Sequence, residues 1–256
     1  RNSTLAMTSF ANLLMAPIFI VVMYFISNFK SNTDDGLTPI MSDMMGIGFV
    51  VMYSMIFLAG ANMLATMAYT REGKSFFASK TLPINPKDSI KAKLLLSVIV
   101  PCVLLVPIML ISLLLYKIDI ISTLFVGIDT LMMITGACCM SILFDMKKGN
   151  QHWEQVSDIK NSSQNVYQII SALVSVLPAI VLFVLGIILA SFAQSLGEIA
   201  IKVIYWSVGT VFSAAVFVAG LCLLKKYGLK WYEFIGENKP KPKSASRGFG
   251  TRRLMK

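Results

Sequence analysis

The sequence predicts an all-α, polytopic membrane protein with six transmembrane helices, and three observations predict it. Hydrophobic residues make up 56% of the 256 and charged residues only 14%, against about 25% charged in soluble domains, and the mean hydropathy is +0.72. The apolar residues are gathered into long blocks, several of which exceed the roughly 18 residues that separate a spanning helix from a buried core helix. Finally, the Lys and Arg residues behind the formal net charge of +10 sit between and after those blocks. The charge therefore reads as a topological signal and not as a nucleic-acid footprint.

The blocks fall at about 10–27, 44–69, 94–116, 120–144, 167–193 and 199–224, and together they form one transmembrane domain over 1–224. The first ends in a polar, turn-rich stretch with Lys30, Asp34, Asp35, Gly36 and Pro39. A charged segment, 71–93, separates the second from the third, and Lys117 and Asp119 mark a tight turn into the fourth. A second long polar segment follows Asp145, and a short one at 194–198 precedes the sixth block. Pro101, Pro107 and Pro178 lie inside blocks; a membrane span tolerates them because neighbouring helices can satisfy the freed backbone groups. Small residues recur four apart at Ala61 and Ala65, Gly186 and Ala190, and Gly209 and Ser213, spacings that let helices approach closely in lipid. The tail, 225–256, with its Lys239-Pro240-Lys241-Pro242-Lys243 run, has the composition of a basic, largely disordered extension.

Counting Lys and Arg on alternate sides orients the chain. One side collects twenty of the 23, and the other only Lys30, Lys117 and Lys202. Both termini are therefore expected in the cytoplasm, in a multi-pass cell-membrane protein whose 71–93 loop is internal. Cys102, Cys138, Cys139 and Cys222 all lie in apolar blocks, where they read as small core residues and not as a disulfide framework or zinc site. The first residue is Arg1, and no charged n-region precedes the first block, so a removed signal peptide is not visible.

The segment from Arg71 to Pro86 carries the most information. Phe76, Phe77 and Leu82 are apolar, Lys74 and Lys80 flank the aromatic pair, and Pro83 ends any helix begun near Ser75. A short amphipathic helix docked on the membrane face or on a partner satisfies that pattern. Asn85, followed by Pro86, Lys87 and Asp88, has the form of a cap and first turn for a helix running through Lys91 and Lys93 into the third crossing.

These residues, Glu72-Gly73-Lys74, Phe76-Phe77, Lys80 and Leu82-Pro83-Ile84, resemble the pattern found after the second helix in the membrane subunits of bacterial type-2 ATP-binding-cassette (ABC) exporters. A second, partial echo follows the fourth block, with Asp145, Trp153, Glu154 and Lys160-Asn161, although Gly149 stands where that family places a proline. The resemblance implies that 72–83 forms a coupling helix seated in a separate ABC ATPase subunit. It further implies a second six-helix permease half or a homodimer, and a chain that could be the C-terminal half of a longer permease, with 2–10 the remnant of an amphipathic helix before the first span. ATP and Mg would reside on the ATPase partner, with no cofactor or metal bound by this chain. The alternative is a non-transporting membrane scaffold or sensor partner whose internal loops bind another protein.

No GxxxxGK[ST] run is present, so nucleotide phosphates cannot be cradled here. The single histidine, His152, sits in a polar loop beside Trp153 and reads as solvated or structural, and no hydrolytic constellation accompanies it. The chain is therefore expected to be no enzyme. Within the membrane, three polar residues stand out: Asp129, Asn62 and Lys202. Asp129, some ten residues inside the fourth block, is expensive at that depth unless it faces protein or water. It either lines a path, bonds a partner such as Asn62 or Lys202, or lies near the outer interface should the helix begin later. Asn62, among Gly60, Ala61 and Ala65, reads as a helix-to-helix hydrogen bond.

Overall fold

In a computed structural model, residues 2–31, 39–60, 62–81, 84–149, 164–192 and 197–235 are described. Among these the chain is entirely helical, without strands. The helices are α1 (Asn2–Ser31), α2 (Pro39–Ser54), α3 (Met63–Thr66), α4 (Ser75–Thr81), α5 (Pro86–Leu114), α6 (Ile120–Lys148), α7 (Gln164–Ser191) and α8 (Glu198–Glu233). By length and composition five stretches can cross a membrane: Met44–Thr66, Pro86–Leu114, Ile120–Lys148, Ala172–Ser191 and Ile199–Glu233. In addition, α1 contributes the shorter apolar stretch Ala11–Ile26.

Helix α6 is central, and its composition explains why. Gly127, Gly136, Ala137, Cys138, Cys139 and Ser141 are all buried on it, and such small side chains admit neighbouring helices on several sides. The closest approach is to α8. A Cβ at Gly220 would stand 2.6 Å from the Gly136 carbonyl oxygen, and one at Gly136 would stand 2.6 Å from that of Val216. The paired glycines thus let two backbones touch. The opposite flanks of α5 and α8 carry exposed apolar side chains such as Leu95, Val103, Leu114, Val203 and Val211, as lipid contact requires.

The predicted cap of α5 holds. Asn85 accepts a hydrogen bond from the Lys87 N–H at 3.1 Å and Pro86 opens α5, so this helix starts eight residues before the apolar block at 94 does. Helices α5 and α7 run unbroken through Pro101, Pro107 and Pro178. The second block, expected as one helix over 44–69, is instead interrupted. It loosens into a π-helical turn at Met55–Gly60, where a Cβ at Gly60 would lie 2.6 Å from Ser175 Oγ of α7. It resumes after Asn62, which caps α3 by accepting from the Leu64 N–H at 3.1 Å.

The last helix is longer than its apolar block. It continues through Lys225 to Glu233, residues assigned from composition to the disordered tail. Its 36 residues span about 54 Å at 1.5 Å per residue, well beyond the roughly 30 Å of bilayer hydrocarbon. Aromatic anchors hold this extension in place: Tyr227 stacks on Trp231 at 5.3 Å, and Lys147 of α6 lies 4.8 Å over the Trp231 ring.

Candidate functional site

The ends of α5, α6 and α8 converge on the turn between α3 and α4, which Lys93, Asp145 and Tyr232 all touch, and Asp145 holds its centre. This carboxylate, 2% exposed, accepts from the Tyr69 N–H at 2.5 Å, the Thr70 N–H at 3.1 Å and the Thr70 hydroxyl at 2.6 Å. It therefore holds the turn that follows α3, 75 residues earlier in the chain. Gly149, the C-cap of α6, donates its N–H to the Asp145 carbonyl at 2.7 Å, and a Cβ there would crowd that carbonyl and Thr70 Oγ1. A proline at 149 would lose that donor and add that crowding, which accounts for the departure from the exporter pattern.

The Glu72-Gly73-Lys74 motif builds the corner before α4. Glu72 closes a 3-10 turn with Thr70, and Gly73 takes φ +55° and ψ −135°, a conformation that an L side chain rarely adopts. The Glu72 carboxylate pairs with Lys93 of α5 at 2.7 Å. Lys93 also donates to the Ala68 carbonyl at 2.8 Å and lies 3.8 Å from the centre of the Tyr69 ring. Burial pushes the Tyr69 phenol far above its ordinary value, so this ring is neutral and serves as an apolar and cation-binding face.

Helix α4 is then pinned to the end of α8. Phe76, 1% exposed, meets Tyr69 at 5.7 Å and Tyr232 at 5.9 Å, edge to face in both cases. Lys80 donates to the carbonyls of Glu233 and Ile235 at 3.0 and 3.2 Å, capping the negative end of α8. The motif is thus divided by direction. Glu72, Gly73, Phe76 and Lys80 bind this chain to itself, while Lys74, Ser75 and Phe77 are exposed, Phe77 to 37%. Leu82, Pro83, Trp153, Glu154, Lys160 and Asn161 lie outside the described residues. Tyr69, Thr70, Lys93 and Tyr232 complete the cluster, and the sequence reading did not single them out as site residues. The signals available were faint: an aromatic at the last position of a block, one basic residue among six, and an aromatic in a segment read as tail.

The intramembrane polar residues separate into three environments. Asn62 donates to the Ser97 carbonyl at 2.8 Å and to Cys138 Sγ at 3.2 Å, so it joins α5 and α6 as a helix-to-helix bond. The Ser97 carbonyl is the one that Pro101, four residues on, leaves without an N–H, and Asn62 replaces that donor. Lys202 pairs with Asp119 at 3.5 Å, at the far end of the bundle, and not with Asp129. Asp129 lies nine residues into α6, which begins at Ile120 after its Asp119 cap, and at 3% exposure it is enclosed by the bundle. It faces Gly209, where a Cβ would approach its Oδ2 to 2.8 Å, and the Thr210 side chain.

Asp119 accepts from the Ser122 N–H at 3.0 Å and its hydroxyl at 2.8 Å. Partial burial pushes its pKa up, but the two Ser122 bonds and Lys202 outweigh this and hold it below the ordinary 3.8. A carboxylate with a depressed folded-state pKa stabilises fully above the unfolded value and loses that contribution as pH falls through the folded one. Asp119→Ala is expected to cost about 1 kcal/mol near neutral pH. The gap in melting temperature between variant and wild type should close as the pH is taken below 3.8; a gap that persists in acid would show that the carboxylate is not its source.

The fold and its buried polar ties define a polytopic α-helical membrane protein. The chain belongs to the family described as membrane proteins of twelve transmembrane spans, which matches residues 8–224. No curated protein and no solved structure matches it.

Proposed function

We propose that this chain is the membrane-spanning permease subunit of an ATP-driven ABC exporter, with its basic side and both termini in the cytoplasm. The observation that carries this reading is α4: a short helix projecting at the basic end, locked to its own bundle through Phe76 and Lys80 and presenting Lys74 and Phe77 outward. A segment that receives a push needs both properties, a rigid inner attachment and an outer face for the pusher. The outer face would seat in the cleft of a separate ATPase subunit, which binds ATP and Mg, so that this chain catalyses no reaction itself. The twelve-span description of the family supports a second six-helix half, fused or separate, as the other permease partner.

The test is co-purification from the native membrane. A Walker-type ATPase should accompany the wild-type chain. Phe77→Ala combined with Lys74→Glu should reduce the retained ATPase about tenfold or more, the scale of one or two interface anchors, without lowering the chain's own melting temperature. Phe76→Ala should instead lower the melting temperature, because it removes about 3–5 kcal/mol of aromatic packing. Full retention of the ATPase by the outward-facing double variant, or an intact assembly without any ATPase, would overturn the reading.

A further inference from the structure

The interface of α6 and α8 buries a group of polar atoms that find no hydrogen-bond partner: Asp129 Oδ1, Tyr205 Oη and Ser213 Oγ. Their residues are 3%, 2% and 0% exposed. Tyr205, Gly209 and Ser213 recur every four residues on α8, so they share the face that Gly209 presents to Asp129 Oδ2. An unpaired charge at that depth would cost several kcal/mol. Among the described residues no ion pair reaches Asp129; Lys93 pairs with Glu72 and Lys202 with Asp119. The groups facing it are otherwise neutral. From α8 come the Tyr205 phenol and Thr210, and from α7 comes Leu182 beside Gly209. On the other sides of α6, Met109 of α5 packs at Gly127 and the Ser54 hydroxyl of α2 bonds Thr130 at 3.3 Å, neither of them an ionisable group.

The donor count points the same way. The one proton of the Thr210 hydroxyl, 2.9 Å from the Trp206 carbonyl, serves either that carbonyl or Asp129, and Asp129 Oδ1 has no donor in either case. A carboxylic acid lets both bonds form, Thr210 donating to Trp206 while Asp129 donates to Thr210.

We propose that Asp129 is a proton-binding site, a carboxylic acid held neutral between α6 and α8 with its O–H directed at the Thr210 hydroxyl. Loading the site adds one proton to one carboxyl oxygen and breaks no other bond; unloading leaves an anion that the interface cannot solvate, so deprotonation would open the contact to water or to a cation. The inference stands independently of any ATPase partner, because it rests on groups within this chain.

Two measurements on the purified full chain in lipid nanodiscs test it. In infrared difference spectra near pH 7, a carboxylic-acid C=O band should be present in wild type and lost in Asp129→Asn, with or without sodium. On wild type alone, dicyclohexylcarbodiimide, which reacts with protonated carboxyls in apolar surroundings, should label the Asp129 peptide. The labelling rate should fall about tenfold per pH unit above the titration point. A carboxylate band at neutral pH, absence of labelling at Asp129, or labelling that appears only when sodium is withdrawn would each overturn the proposal, the last by assigning a metal cation. Should Asp129→Asn fail to fold, the wild-type labelling decides.

Discussion

Replacing Asp145 by alanine is expected to unfold the basic end of the bundle. The substitution strips the Tyr69 and Thr70 N–H groups and the Thr70 hydroxyl of their acceptor in a place where water cannot replace it. Each buried donor left unpaired costs about 1–3 kcal/mol, so the three together cost about 3–9 kcal/mol. Even the low end corresponds to a melting temperature lowered by about 6–12 °C, at some 2–4 °C per kcal/mol for a chain of this size. Asp145→Asn keeps the shape and one acceptor oxygen and should retain roughly half of the stability. Thermal unfolding in detergent, followed by tryptophan fluorescence, measures both. If the alanine variant melts with wild type, the carboxylate does not hold the α3–α4 turn.

The second large effect comes from two glycines of α8 with opposite surroundings. A Cβ at Gly220 would stand 2.6 Å from the Gly136 carbonyl oxygen and 3.0 Å from its Cα, and backbone atoms cannot step aside. Gly220→Ala should therefore push α6 and α8 apart at a cost of about 1–3 kcal/mol or more, visible as loss of monodisperse protein and a lower melting temperature. A Cβ at Gly228 would meet only Leu224 and Ile90 side-chain atoms at 3.5 Å and beyond, an ordinary contact. Gly228→Ala should raise stability by up to about 1 kcal/mol, the helical preference of alanine over glycine. Equal effects at the two positions would mean that the close crossing does not govern them.

The layout of the bundle was legible because hydropathy reports directly on partition into lipid, and the long apolar blocks did become helical, the second of them with an interruption. Local chemistry was legible as well. Asn85 and Pro86 announce the start of α5, and Asn62 a bond between helices. Pairings were not legible. Nothing in Gly136 or Gly220 alone says that they meet, since glycine is common in spans and the partner lies more than eighty residues away. The two phenylalanines of α4 are chemically alike, and only the position of Tyr232 decides that Phe76 turns inward and Phe77 outward. Tyr232 was itself hidden, because a basic composition reads as tail whether or not aromatic residues three and four apart fold it back into a helix. Asp145 was noticed through a family pattern, but its duty to a turn 75 residues earlier is a property of the packed bundle.

The contact of Gly136 with Gly220 is one of several along the last helix, which also meets α6 at Gly209 and through Lys147 over Trp231. Two rods joined at several heights move together. Tyr232, where α4 is attached, and Lys202, tied to Asp119, lie thirty residues apart on this helix, about 45 Å along its axis. A displacement delivered at Tyr232 would therefore be carried by the pair of helices as one body to the opposite face of the bundle.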